Sequence, residues 1–405
     1  MLSQAKASSL AVMTPVRFIR WMPPLAVMMG LLLLVWVSTL GHAQDGAYVS
    51  RAEHAILIDA RTGRVLYEKN ADVPVPPASM SKLMTMIMVF EALKAGTLTL
   101  DQELTVSKDA WQRGGAPSGS STMYAEVNSK IRVEDLIKGA VVQSANDACI
   151  VFAESLAGSE PAFAAAMTER ARQLGALNAT FRNATGLPEA GHQMSARDLS
   201  VFARHITQVF PQDYAYYAIP EFTWNNIRQM NRNPLLKDYA GADGLTTGYT
   251  REAGYGLAGS ASRDGRRLIM VIAGLKSIND RKAEAQALLE WGFRQFRSVD
   301  VYARGDRVGQ ARVWGGTERK VDLLAAANVR VALTAQEQEV AEVKLAYNGP
   351  LMAPVEAGRE VGKVRFIVDG ITVAEVPVLT AAPVAPEPSM WSRALDSVFI
   401  MIFGS

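Results

Sequence analysis

Residues 79–93 carry apolar side chains on too many sides for a helix that lies on a surface. Met80, Leu83, Met84, Ile87, Met88 and Phe90 recur at helical spacing but cover more than one face. Other elements must wrap such a helix on all sides, so the chain has to build a domain around it. With 405 residues, 49% of them hydrophobic, it has material for two or three domains and a sizeable core.

Ser79 opens this segment, and Lys82 follows three positions later. On a helix the two share a face one turn apart. A serine hydroxyl needs a nearby base before it is a useful nucleophile, and a lysine amine at this spacing can supply one. The pattern alone is weak, because Ser3-Gln4-Ala5-Lys6 repeats it. Two further short patterns follow. Ser144-Ala145-Asn146 breaks a helical stretch, and Thr246-Thr247-Gly248 precedes a strand pair that begins at Tyr255.

Around these motifs the chain alternates between periods. His54–Ala60 and Arg64–Glu68 read as strands joined at Arg61-Thr62-Gly63. Helices are expected over Ser79–Leu93, Val133–Val142, Asp147–Leu156, Ala162–Leu174 and Ala196–Ile206. Tyr255–Ser262 and Arg267–Leu275 form a hairpin through Asp264-Gly265, and a helix over Arg281–Phe296 closes the domain. This order predicts an α+β domain over residues 44–298, an antiparallel sheet with a helical cluster packed on it.

Residues 299–379 change texture to short β-rich runs and read as a small all-β domain, with one hairpin turn at Asp369-Gly370. Residues 380–389 form an Ala/Pro linker of extended character. In residues 390–405, Trp391, Leu395, Val398, Phe399 and Ile402 share one helical face, and Ser392, Arg393, Asp396 and Ser397 the other. A bilayer span needs roughly 20 apolar residues, so this amphipathic helix suits the membrane interface instead.

Residues 1–43 read as a secretory leader. Lys6, Arg17 and Arg20 precede an apolar run, and Gly41-His42-Ala43 offers the small residues of a cleavage site. The body is therefore expected to be exported. Cys149 is the single cysteine, so no disulfide framework is available. A formal charge of +2 gives no electrostatic reason for a nucleic-acid partner. His54, His192 and His205 lack metal-ligand spacing, and no cofactor is called for.

In order along the chain, the motifs are those of the penicilloyl serine transferases. Pro77-Ala78-Ser79-Met80-Ser81-Lys82-Leu83-Met84-Thr85 resembles the nucleophile segment of the low-molecular-mass penicillin-binding proteins, the D-alanyl-D-alanine carboxypeptidases. Ser144-Ala145-Asn146-Asp147-Ala148-Cys149 resembles their second motif. Asn231-Arg232-Asn233 and Asp243–Thr250 resemble the approach to the third and the third itself. The leader, β domain and terminal helix match the family's layout.

The resemblance implies a penicillin-binding transpeptidase fold and assigns roles to residues. Ser79 attacks the carbonyl between two D-alanines of a peptidoglycan stem peptide, with Lys82 as its base. Ser144 relays a proton toward the leaving group, and Asn146 holds a substrate amide. The backbone N–H groups of Ser79 and Tyr249 form the oxyanion hole. Thr246, Thr247, Gly248 and Arg281 bind substrate, Arg281 as the family's arginine just ahead of the closing helix. β-Lactams mimic the substrate and trap Ser79. The implied place is the periplasmic face of the inner membrane, attached through residues 390–405.

One position departs from the family. Its third motif begins with a cation, and this chain has Thr246. A lost charge-assisted contact is worth on the order of 1.5–3 kcal/mol, or ten- to hundredfold in rate. Lys237 and Arg251 lie near in sequence but read as solvated surface. Thr246 also raises the alternative of an attenuated or inactive paralogue that only binds cell-wall peptide.

Overall fold

A computed structural model describes residues 48–389. The expected leader over 1–43 and the amphipathic helix over 390–405 lie outside the described residues.

Five antiparallel strands form the first sheet: β1 (His54–Asp59), β2 (Val65–Lys69), β3 (Ala242–Thr250), β4 (Gly254–Arg263) and β5 (Arg266–Leu275). Their order is β2-β1-β5-β4-β3, so β3 lies at an edge. Pairing places Leu57 opposite Met270 and Thr246 opposite Ala258. Strands β1, β4 and β5 are apolar on both faces because helices cover both. On one side, α6 (Ile278–Gln295) comes so close at Gly292 that a Cβ there would lie 2.5 Å from Leu57 Cδ2.

The other face carries the helical cluster. Here lies α1 (Lys82–Lys94), with Leu83, Met84, Ile87 and Phe90 fully buried, wrapped as its apolar pattern requires. Around it stand α2 (Val133–Val142), α3 (Asn146–Ala157), α4 (Glu160–Gln173) and α5 (Ala196–Val209). Two of them are fixed by side-chain caps. Ser159 accepts from Ala162 N at the start of α4, and Ser195 with Asp198 forms a capping box at the start of α5.

Three expectations are corrected. Ser79 does not begin the α-helix but sits in a 3-10 turn, Ala78–Ser81, just ahead of it. Ala78 there is left-handed at φ +50°, and the turn that follows closes with an i→i+3 bond from Lys82 N to Ser79 O. Secondly, the third motif does not merely precede strands. It lies within β3, whose Gly244, Gly248 and paired threonines hide the alternation that marks a strand. Thirdly, the closing helix begins at Ile278, because Ser277 accepts from Asp280 N and caps it there. Arg281 therefore belongs to its first turn.

After α6 the chain enters β6 (Arg297–Tyr302), followed by β7 (Arg307–Trp314), β8 (Lys320–Ala325), β9 (Val329–Leu333), β10 (Glu342–Tyr347), β11 (Leu351–Met352), β12 (Glu360–Val368) and β13 (Ile371–Thr380). β6 pairs with β9, and the rest form a sheet ordered β10-β12-β13-β8-β7-β11. The β12–β13 hairpin turns at Asp369 and Gly370, both at positive φ (48° and 79°), as a two-residue hairpin turn of type I′ requires. Val313, Leu323, Val331, Val364, Phe366 and Val378 form its core. The Ala/Pro segment that follows is extended but docked. Val384 is buried and exchanges backbone hydrogen bonds with Val355 (2.9 and 3.0 Å). Arg64, beside β2, reaches the backbone carbonyl of Ala332 and the carboxylate of Glu337.

Candidate active site

The i→i+3 turn brings Lys82 back over Ser79. Lys82 Nζ lies 3.0 Å from Ser79 Oγ and donates to the Thr185 carbonyl at 2.5 Å. Lys82 is only 3% exposed, whereas Ser79 is half-buried. Burial drives the amine down to about 8. Its neighbours pull both ways. Cys149, Asp147 and Glu160 favour the ammonium, and Arg232 opposes it. A base at about 8 keeps a usable neutral fraction near pH 7, and in that form the 3.0 Å contact runs the other way, with the hydroxyl donating to nitrogen.

The Thr185 carbonyl is fixed in place by a segment the sequence reading passed over. Asn183 Oδ1 accepts from Thr185 N, Thr185 Oγ1 and Gly186 N at 3.2, 3.0 and 2.8 Å. Glu160 Oε1 accepts from Ala184 N at 2.9 Å. Gly186 has φ +80°, and a Cβ there would stand 2.0 Å from Ala78 O, so only glycine lets this turn meet the nucleophile segment. Asn183-Ala184-Thr185-Gly186 has the composition of an Asx turn, and that clue was available in the sequence.

Ser144 joins α2 to α3 in a left-handed conformation, φ +60°, which costs a non-glycine residue on the order of 1 kcal/mol or more. Its hydroxyl is buried without a hydrogen-bond partner. Asn146 begins α3. Its Nδ2 donates to Ser120 Oγ at 2.9 Å, and its buried Oδ1 has no partner. Such atoms are costly to leave unmade, and a bound peptide can satisfy them. Asp147 ties the Ser120 segment to α3, accepting from Thr122 Oγ1 (2.6 Å), Met123 N (3.1 Å) and Ala125 N (3.0 Å). Ser120 was also missed, because it meets Asn146 from 26 residues away.

The third motif closes the group. At Gly248 a Cβ would lie 2.9 Å from Pro77 O and 3.1 Å from Ala78 Cβ, so β3 runs directly against the nucleophile turn. Thr246 and Thr247 are buried. Tyr249 is exposed, and its ring stacks on Tyr255 at 4.2 Å between centroids. The guanidinium of Arg281 sits 5.6 Å from the Tyr255 ring centre, and its buried Nε has no partner. Lys237 and Arg251 are both exposed. The structure thus gathers the Ser79 turn, Lys82 and β3, and it leaves open polar atoms on Ser144, Asn146 and Arg281.

Residues 42–277 match the family described as D-alanyl-D-alanine carboxypeptidase. The chain belongs to that family. Residues 296–385 match the C-terminal domain of penicillin-binding protein 5. The chain is 36% identical over 355 residues to D-alanyl-D-alanine carboxypeptidase DacA of Escherichia coli (strain K12), covering 86% of this chain and 87% of that protein. It is 33% identical over 363 residues to the carboxypeptidase DacF of Bacillus subtilis (strain 168), covering 87% and 92%. Among solved structures, penicillin-binding protein 5 from Haemophilus influenzae superposes with a TM-score of 0.76 at 32% identity, over 84% of this chain and 99% of that one. The protein is accordingly a serine D-Ala-D-Ala carboxypeptidase, a hydrolase with a penicillin-binding fold. This kinship does not favour the inactive-paralogue alternative raised by Thr246.

Proposed function

We propose that the enzyme removes the terminal D-alanine from peptidoglycan stem pentapeptides through an acyl-enzyme on Ser79. The observation that carries the reading is the 3.0 Å contact between Ser79 Oγ and a buried Lys82 amine. Ser79 Oγ attacks the penultimate carbonyl carbon as its proton passes to Lys82 Nζ. The oxyanion is received by the backbone N–H groups of Ser79 and Tyr249. The proton taken up by Lys82 is then relayed through the Ser144 hydroxyl, which gives its own proton to the nitrogen of the leaving D-alanine and receives the one from Lys82, and the C–N bond breaks. Water hydrolyses the ester by the reverse proton path and frees Ser79. Asn146 holds a substrate amide. Thr246, Thr247, Gly248 and Arg281 line the place of the terminal carboxylate, with Arg281 as its cation.

Export by residues 1–43 and attachment to the inner-membrane surface through residues 390–405 complete this reading on the strength of their sequence patterns. Among the described residues, no helix is long and apolar enough to cross a membrane. Removal of residues 390–405 is expected to move the protein from the membrane fraction to the soluble one.

Fluorescent penicillin labelling, with a parallel assay of D-alanine release from a D-Ala-D-Ala peptide, tests the chemistry. The natural protein is expected to label and to release D-alanine. Labelling without release would refute the hydrolytic half.

A further inference from the structure

We propose that the stacked rings of Tyr249 and Tyr255 position the Arg281 guanidinium for the substrate's terminal carboxylate. Tyr255 is the positioning residue, and Tyr249 backs it. The proposal rests on the reading of Arg281 as the carboxylate's cation given above, and it identifies what holds that cation before substrate arrives.

Arg281 is a buried charge in need of a partner. It is 7% exposed, and its Nε has no hydrogen-bond partner. Among the described residues no carboxylate pairs with it. The acids nearest on its own helix are engaged elsewhere. Asp280 accepts from Ser277 Oγ at 2.6 Å, and Glu284 accepts from Ser50 Oγ at 2.7 Å. What the guanidinium does meet is the Tyr255 ring, 5.6 Å from its centre. A cation at that distance from an aromatic face is attracted by the ring's quadrupole, and the attraction strengthens as water is excluded. A ring can therefore hold the charge and leave its N–H groups free for an incoming carboxylate, which a resident acid would not.

The sheet puts that ring beside the third motif. Tyr249 and Tyr255 are partners across the β3–β4 pair, and their rings stack at 4.2 Å between centroids, 29° from parallel. Successive side chains of a strand alternate between its faces. A Cβ on Gly248 would meet Pro77 O, and one on Gly256 would meet Met80 Cε, so those positions face the nucleophile segment. Both tyrosines take the opposite face, together with Thr247. Arg281 comes to the Tyr255 ring from the first turn of α6. The exposed Tyr249 ring covers part of Tyr255 and limits the water that would weaken its hold on the cation.

The test measures D-alanine release from a D-Ala-D-Ala peptide and the rate of fluorescent-penicillin labelling, with thermal melts as a check on folding. The variants are Y255F, Y255L, Y249L, R281Q and Y255L/R281Q, beside the natural enzyme. Y255L is expected to raise KM about fivefold and to leave kcat within about twofold, because it loosens the grip on a group that does not react. Y255F keeps the ring and the natural KM, and Y249L raises KM about twofold. Penicillin also carries a carboxylate, so Y255L slows its labelling about fivefold. In the R281Q background the same change slows labelling by less than about twofold, since the ring has no cation to hold. Equal slowing of R281Q and of the natural enzyme would overturn the proposal and leave Tyr255 as packing alone. A rise in KM for Y255F as large as for Y255L would overturn it too, by placing the effect in the hydroxyl. Should Y255L fail to fold, an unchanged KM in Y249L is decisive against it. Failure of the underlying reading shows separately, as an R281Q enzyme with the natural KM.

Discussion

The two halves of the molecule bury different things. Of the buried polar and charged side chains among the described residues, only Thr380 lies beyond Phe296. Thr380 is fully engaged, donating to Glu356 O at 2.5 Å and accepting from Arg359 N at 3.0 Å. The β domain thus stands on valine-rich packing with its polar groups satisfied. The first domain buries Lys82, Ser144, Asn146, Asp147 and Arg281, and leaves Ser144 Oγ, Asn146 Oδ1 and Arg281 Nε without partners. Each unmade bond to a buried polar atom costs on the order of 1–3 kcal/mol. One domain carries strain and desolvation around its motifs, and the other buries almost no polar group.

The sharpest way to break this contrast is Ser79→Ala. It is expected to abolish penicillin labelling and D-alanine release while far-UV circular dichroism and the melting temperature stay close to those of the natural protein. Residual labelling would move the nucleophile elsewhere.

Next in size are two core changes with opposite functional consequences. Phe366→Ala, in the β-domain core, is expected to cost about 3–5 kcal/mol in denaturant unfolding. The acylation rate of the protein that remains folded should not change. Asp147→Ala removes the acceptor that ties the Ser120 segment to α3 and is expected to cost about 3 kcal/mol, with slower acylation as well. If both variants lost stability and rate together, the division of labour would fail.

The smallest expected effect has the unusual sign. Lys82 is held at about 8 in the folded protein, against 10.5 when exposed. Between those values the unfolded chain binds more protons, so stability rises with pH across that window. Below about pH 8 the amine is charged in both states, and the fold bears the whole desolvation cost, on the order of 3 kcal/mol for the difference between 10.5 and about 8. Lys82→Met should therefore abolish acylation yet stabilise the fold at pH 7 by on the order of 1–3 kcal/mol, with a smaller gain above about pH 10. Thermal melts at two pH values measure this. A destabilised K82M at pH 7 would show that the bonds to Ser79 and Thr185 outweigh desolvation.

Legibility in the sequence followed the range of the interactions. The pairing of Ser79 with Lys82 is local, set by the geometry of a single turn, and the buried character of α1 is written in its own apolar pattern. Helix limits failed where a cap decided them, as at Ser277, which put Arg281 inside α6. The strand holding the third motif was hidden because its glycines are chosen for close approach to another segment rather than for strand formation.

By itself, the chain determined the order of its motifs, the kind of nucleophile and base, the missing charge at Thr246, and a change of texture after the closing helix. Tertiary structure alone decided which distant groups surround those motifs. Thr185 reaches Lys82 from 103 residues away, Ser120 reaches Asn146 from 26, and Arg232 reaches Gln143 from 89. The reason is physical. Reactivity here depends on desolvation and on the sum of nearby charges, and both are properties of three-dimensional neighbours, which a linear pattern does not contain.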